Sequence, residues 1–257
     1  MIIDTHAHYD DDAFDADREE LLGSMQANGI EKIVNVCASI DGLQDTVALM
    51  EKYPFVYGAV GVHPDDADKM TQETLDQIQK LSRMEKMTAI GEIGLDYYWH
   101  KEKEEHEIQQ KMFRAQLDIA RAEKMPFMIH SREAAEDTLN IIREYMKGGM
   151  YGGIIHCFSY SKEIAAEYLK MGLYLGIGGV VTFENAKKLK ETVKYAPLSQ
   201  IVLETDSPYL APKPNRGKRN SSLNLPYVAQ MIADLKEISV DEVIAVTREN
   251  AQKLLGI

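Results

Sequence analysis

Eight short β-rich apolar runs alternate with longer amphipathic segments along almost the whole chain, and this rhythm constrains the fold more than any other feature. The runs fall at 2–6, 32–37, 55–61, 88–92, 126–130, 152–156, 173–177 and 201–205. Strands spaced this way and separated by helices build parallel sheets with crossover connections. The clearest helical pattern is Glu102 to Glu123, where Ile108, Met112, Ala115, Leu117 and Ile119 mark an apolar stripe. Two more helices are expected near 223–236 and 240–255. An open doubly wound sheet and a closed barrel both satisfy the alternation. The count of eight favours the barrel, as does a length of 257 residues beside the ~250 typical of that fold. No glycine-rich dinucleotide fingerprint follows the first run, so the open sheet lacks its main signal. The expectation is an α/β chain forming one single-domain (β/α)8 TIM barrel over residues 1–257.

Composition narrows the function classes. A formal net charge of −12 argues against a protein coated in basic, DNA-binding surface. It leaves room for a nucleic-acid enzyme whose positive charge is local or carried by bound cations. No apolar run approaches the ~18 residues that span a bilayer, so no membrane association is expected. The opening Met1-Ile2-Ile3-Asp4-Thr5-His6 has no basic stretch before an apolar core, which argues against a secretory signal. Cys37 and Cys157, the only cysteines, read as free thiols of a reducing, cytoplasmic compartment. Nothing in the sequence points to a protein partner.

The histidines carry the chemistry. Five of seven (His6, His8, His63, His130 and His156) fall at or just after the end of a predicted strand, and only His100 and His106 lie elsewhere. Strand C-termini of a barrel converge on one mouth, so residues distant in sequence meet there. His6 and His8 are two apart on a strand, so both face the interior while Thr5 and Ala7 face outward. Such a same-face pair can chelate one ion. Glu92 interrupts the apolar run Thr88 to Leu95, where an unpaired carboxylate would cost several kcal/mol. A divalent cation removes that penalty; a buried Arg or Lys is the structural alternative. Asp206 repeats the pattern after the last strand. Glu204, two residues earlier, either orients a metal ligand or joins a salt bridge. His6, His8, Glu92, His130, His156 and Asp206 are too many for one four-coordinate zinc and suit two divalent ions about 3.5–4 Å apart, with Glu92 as the bridge. Cys157 is expected to face away from His156 into the core.

The segments Asp4-Thr5-His6-Ala7-His8, Gly61-Val62-His63-Pro64, Gly91-Glu92-Ile93-Gly94-Leu95-Asp96-Tyr97-Tyr98, His130-Ser131-Arg132, His156-Cys157-Phe158-Ser159 and Glu204-Thr205-Asp206-Ser207-Pro208-Tyr209-Leu210 resemble the TatD family of metal-dependent deoxyribonucleases. The resemblance runs from the first strand to the last in order. It implies an amidohydrolase-type barrel in which His6, His8, Glu92 and Asp206 hold one ion, and Glu92, His130 and His156 the other. One stretch departs from the family pattern: Ser221-Ser222 follow Asn220 where Glu-Pro is expected, in a loop placed to shape the substrate entrance.

The expected reaction is hydrolysis of a phosphodiester, on single-stranded DNA ends, by water activated between two divalent ions (Zn, Mn or Mg). Asp206 is the expected general base. His63 is expected to contact a phosphate or protonate the leaving group, and Arg132 to clamp a phosphate oxygen unless it pairs with Glu133 or Glu136. Lys213, Arg216, Lys218 and Arg219 form a basic loop after the last strand, a candidate track for a nucleic-acid backbone. Tyr97, Tyr98 and Trp99 are candidates for stacking bases. The same constellation also suits a hydrolase of amides, esters or lactones, because a site that activates water does not name the bond it cleaves.

Overall fold

The structure, a computed structural model, describes residues 1–257. Eight parallel strands pair in chain order: β1 (Ile2–Ala7), β2 (Ile30–Val36), β3 (Val56–Val60), β4 (Met87–Asp96), β5 (Phe127–Arg132), β6 (Gly153–Ile155), β7 (Tyr174–Ile177) and β8 (Ile201–Leu203). An isolated parallel bridge between Ala7 and Ser207 closes the ring just beyond β8, supported by the His8 N–H donating to the Ser207 carbonyl at 2.8 Å. The molecule is a (β/α)8 TIM barrel, as the count of eight runs and the chain length favoured.

Two apolar layers follow from the strand pleat. Ile3, Val34, Val36, Ala59, Ala89, Met128, Ile154, Tyr174 and Val202 pack in one cluster to which every strand contributes. Only the interior of a closed barrel lets all eight strands meet. Leu254 and Leu255, at the end of the C-terminal helix Val240–Leu255, join this cluster. A larger cluster of 54 buried residues holds the outer strand faces against the surrounding helices. At roughly 1.5–3 kcal/mol per buried large apolar side chain, the two layers can offset a few costly buried polar groups.

The helix expected at Glu102–Glu123 runs from Lys103 to Glu123; Leu117 and Ile119 of the expected stripe are buried, but its first turns bury a different set. Ile108 is exposed, and Gln109, Phe113, Gln116, Leu117 and Ala120 face the barrel. Gln109 accepts from the Asp96 N–H and donates to its carbonyl; Gln116 does the same for Val62. Backbone groups at the ends of β4 and near the end of β3 lack sheet partners, and these buried amides supply them. An apolar stripe cannot, which is why polar residues occupy core positions here.

Two strands depart from simple expectation near the barrel mouth. β4 extends four residues past its expected end at Glu92, because Ile93 to Asp96 pair in register with Ile129 to Arg132. In β1 the register shifts between Asp4 and Ala7. Strict alternation would place Asp4 beside His6, but the shift turns Asp4 outward to Thr205 and Ser222, leaving His6 and His8 facing the interior.

Candidate metal centre

Every predicted metal ligand arrives at the same mouth. His6 lies on β1 and His8 immediately follows it; Glu92 and His130 lie on β4 and β5; His156 follows β6, and Asp206 lies three residues past β8. The chain turns sharply at two of these points, with Asp206 at φ +58° and Cys157 at φ +44°. Asp tolerates this left-handed region better than most residues, and the turn carries its carboxylate back over the barrel.

Glu92 is the centre of the arrangement. It is buried, and no Arg or Lys reaches it. Its Oε2 lies 3.3 Å from His6 Nε2 and 3.7 Å from His8 Nε2. Its Oε1 lies 2.8 Å from His130 Nδ1 and 3.7 Å from His156 Nε2. The two carboxylate oxygens therefore face two different pairs of imidazoles. Asp206 Oδ1 stands beside them, 3.3 Å from His8, 3.5 Å from His156 and 4.0 Å from His6. Two ligands on one tetrahedral ion, at bonds of about 2.0–2.1 Å, stand roughly 3.3 Å apart. His6 Nε2 and His8 Nε2 are 3.2 Å apart, so the donors already have the spacing of ligands around an ion. The mixed imidazole and carboxylate set fits a divalent transition metal.

In the protein alone, protons do the work of cations. Burial opposes charge on His8, yet Asp206 and then Glu92 raise it to about 10. Burial likewise opposes charge on His130 and His156, and both are still raised to about 9, the first by Asp96 and Glu92, the second by Glu204 and Glu92. His6, penalised by burial and by the neighbouring His156, falls to about 4. Despite the cost of burial, His156 and His6 hold the Glu92 carboxyl well below the usual range.

Two further carboxylates stand behind these imidazoles. Glu204 Oε1 lies 3.1 Å from His156 Nδ1 and accepts the Cys157 N–H at 2.6 Å, and no Lys or Arg pairs with it. Asp96 Oδ2 lies 3.1 Å from His130 Nε2. Sequence reading assigned Asp96 no role, although Glu92, Gly94 and Asp96 continue one period-two series. Gly94 is required in it: a Cβ there would stand 1.9 Å from the His130 carbonyl.

A family model described as TatD related DNase matches residues 3–256. The chain belongs to the TatD family. It is 44% identical to YabD of Bacillus subtilis, an uncharacterized metal-dependent hydrolase, over the full length of both chains. It is 31% identical to the 3'-5' ssDNA/RNA exonuclease TatD of Citrobacter rodentium, over 95% of this chain and 94% of that one. The crystal structure of YJJV, a TatD homolog from Escherichia coli K12, superimposes with a TM-score of 0.92 at 28% identity, covering 100% of this chain and 98% of that one. Like its TatD relatives, this chain is a metal-dependent hydrolase.

The other predicted residues of this TatD chain divide. His63 lines the cleft, packs edge-on against His130 with ring centroids 4.3 Å apart, and accepts the Asp65 N–H. Arg132 also lines it; neither Glu133 nor Glu136 pairs with its guanidinium. Lys213 pairs with Glu184, Arg219 pairs with Asp17, and Arg216 lies over the Phe183 ring at 4.3 Å. Lys218 is exposed, and none of the four lines the cleft. Tyr97 is committed elsewhere, stacked on His106 at 3.6 Å and donating to Asp137. Cys157, expected in the core, is partly exposed in the cleft because its left-handed backbone turns the thiol toward the mouth. Burial, then Asp206 and Glu204, hold that thiol far above its ordinary range, which disfavours the reactive thiolate. Ser222, in the segment that departs from the family pattern, donates its hydroxyl to Asp4 at 2.6 Å and its N–H to the Tyr9 hydroxyl. A proline at 222 could make neither bond.

Proposed function

We propose that the protein is a two-metal phosphodiesterase that removes nucleotides from the ends of single-stranded DNA. The observation that carries two ions is the division of Glu92, with one oxygen facing His6 and His8 and the other facing His130 and His156. His6, His8, Glu92 and Asp206 would hold one ion, and Glu92, His130 and His156 the other. Divalent ions there supply positive charge that polarises a phosphoryl group and eases deprotonation of water. Asp206, whose Oδ1 stands beside His8 and His156 and whose side chain is less buried than that of Glu92, orients the attacking water and accepts its proton. His63 stands beside His130 at the cleft wall, placed to donate to a phosphate oxygen or the leaving group. Arg132 offers unpaired guanidinium donors to phosphate. Arg216, Lys218 and Arg219 lie outside the cleft lining and are assigned to more distant parts of a bound strand. Two free cysteines fit a cytoplasmic setting.

A phosphodiester, rather than an amide, ester or lactone, is favoured by the exonuclease among the relatives. The test is a screen of metal-loaded protein with Mg²⁺, Mn²⁺ or Zn²⁺. Labelled single-stranded DNA, RNA, and N-acyl and ester substrates are offered side by side. Stepwise shortening of DNA is expected; hydrolysis confined to the acyl compounds would replace this reading with the amide or ester one.

A further inference from the structure

One wall of the cleft has features that metal binding does not use. Trp99 is 65% exposed although it lines the same cleft as Glu92 and His130. The Tyr98 ring meets Trp99 edge-on, with centroids 4.7 Å apart. The Arg132 guanidinium lies over this pair, 3.9 Å from the Tyr98 centroid and 5.5 Å from that of Trp99. Stacking holds the guanidinium in place while leaving its N–H edges without a partner in the protein. Asp96 ties the group to the metal centre: Oδ1 accepts the Tyr98 and Trp99 N–H groups at 2.9 and 3.1 Å, and Oδ2 faces His130. The rest of the lining is acidic, with Asp10, Asp11, Asp12, Asp41, Asp45 and Asp65. Arg132 is the only Lys or Arg in the lining, so a polyanion is repelled by the aspartates and held at this one cation.

Resting on the nuclease reading above, we infer that Tyr98, Trp99 and Arg132 form a nucleotide subsite that selects single strands. An unpaired base stacks on the Trp99 indole, and the Arg132 guanidinium takes the phosphate beside it. A base stacked on Trp99 cannot remain inside a duplex, so the subsite admits a strand only where pairing is absent. Every base has a π-face, so the preference is for unpaired nucleotides rather than for a sequence.

Trp99 is the only tryptophan in the chain, and its fluorescence therefore reports this subsite alone. Metal-loaded protein is titrated with a nuclease-resistant phosphorothioate oligonucleotide, with the same chain carrying abasic end residues, and with a blunt duplex. Labelled versions give the affinities independently by anisotropy. The single strand should quench Trp99 emission saturably, whereas the abasic chain and the duplex bind roughly 5- to 100-fold more weakly with little quenching. In steady-state assays on single-stranded DNA, Trp99→Ala should raise KM by a similar factor with a smaller change in kcat. Trp99→Phe, which keeps a stacking ring, should recover most of that loss. Equal affinity for base-bearing and abasic chains, or saturating binding with unchanged emission, overturns the subsite. Wild-type cleavage of DNA would in that case leave the nuclease reading standing. A protein that neither binds nor cuts any oligonucleotide overturns both.

Discussion

At the scale of single residues, the centre is a set of groups that only make sense together. Glu92 is buried among four histidines, with no other cation to neutralise it. Such a carboxylate is tolerable only while protons or a metal surround it. Asp206 differs from Glu92 in exposure, its side chain 17% accessible against 5%, which suits a group that handles water. Asp206→Asn keeps the size and one ligating oxygen but removes the proton acceptor. It is expected to lower kcat by about 10²- to 10⁴-fold while metal content, measured on protein purified without chelators, stays largely unchanged. Full activity in that variant would exclude Asp206 as the base.

At the scale of elements, strand ends place the ligands and neighbouring strands make room for them. Gly176 on β7 shows the dependence. A Cβ there would stand 2.1 Å from Glu204 Oε2, and Glu204 is fully buried with its other oxygen held by the Cys157 N–H. Gly176→Ala must therefore displace the carboxylate that faces His156. Such orienting partners are worth about 10- to 100-fold in metal affinity, and overpacking a core position costs about 1–3 kcal/mol. The variant should show a loss of metal affinity in that range by competition with a chromogenic chelator, together with a lower urea midpoint. Unchanged affinity would mean that Glu204 does not orient His156.

Across the whole molecule, metal and protons compete to stabilise the same cluster. The raised pKa values of His8, His130 and His156, at about 9 to 10 against an ordinary 6.5, describe the metal-free protein. A histidine raised on folding contributes stability that is fully present below its unfolded pKa and disappears as pH rises through the folded value. Metal-stripped protein should therefore lose stability between pH 7 and about 10. His6, lowered to about 4, acts in the opposite sense and penalises the fold only in acid. Metal binding requires neutral imidazoles, so affinity rises over the same window. At a free ion concentration of 100 times Kd the gain is about 2.7 kcal/mol, or very roughly 5–10 °C in Tm for a chain of this size. Thermal melts with and without metal across this pH range should show the gap widening. A gap that is constant or narrows would mean that these histidines are not the ligands.

The alternation of apolar runs limited the fold to a parallel α/β sheet, and the count of eight with a length near that of a barrel favoured closure over an open sheet. Polar residues placed at the ends of those runs marked all six proposed ligands, since strand C-termini of a barrel must converge. Local pattern could not show where alternation breaks. The register shift in β1 sends Asp4 out to Ser222 while His6 and His8 stay in, and the pairing of Ile93 to Asp96 with β5 carries Asp96 to His130. Both depend on neighbouring strands. Nor could charge counting along the chain distinguish the basic loop, whose Lys213 and Arg219 are taken up by Glu184 and Asp17, from Arg132, which remains unpaired in the cleft. Pairing between distant charges is settled only when the folded chain brings them within reach.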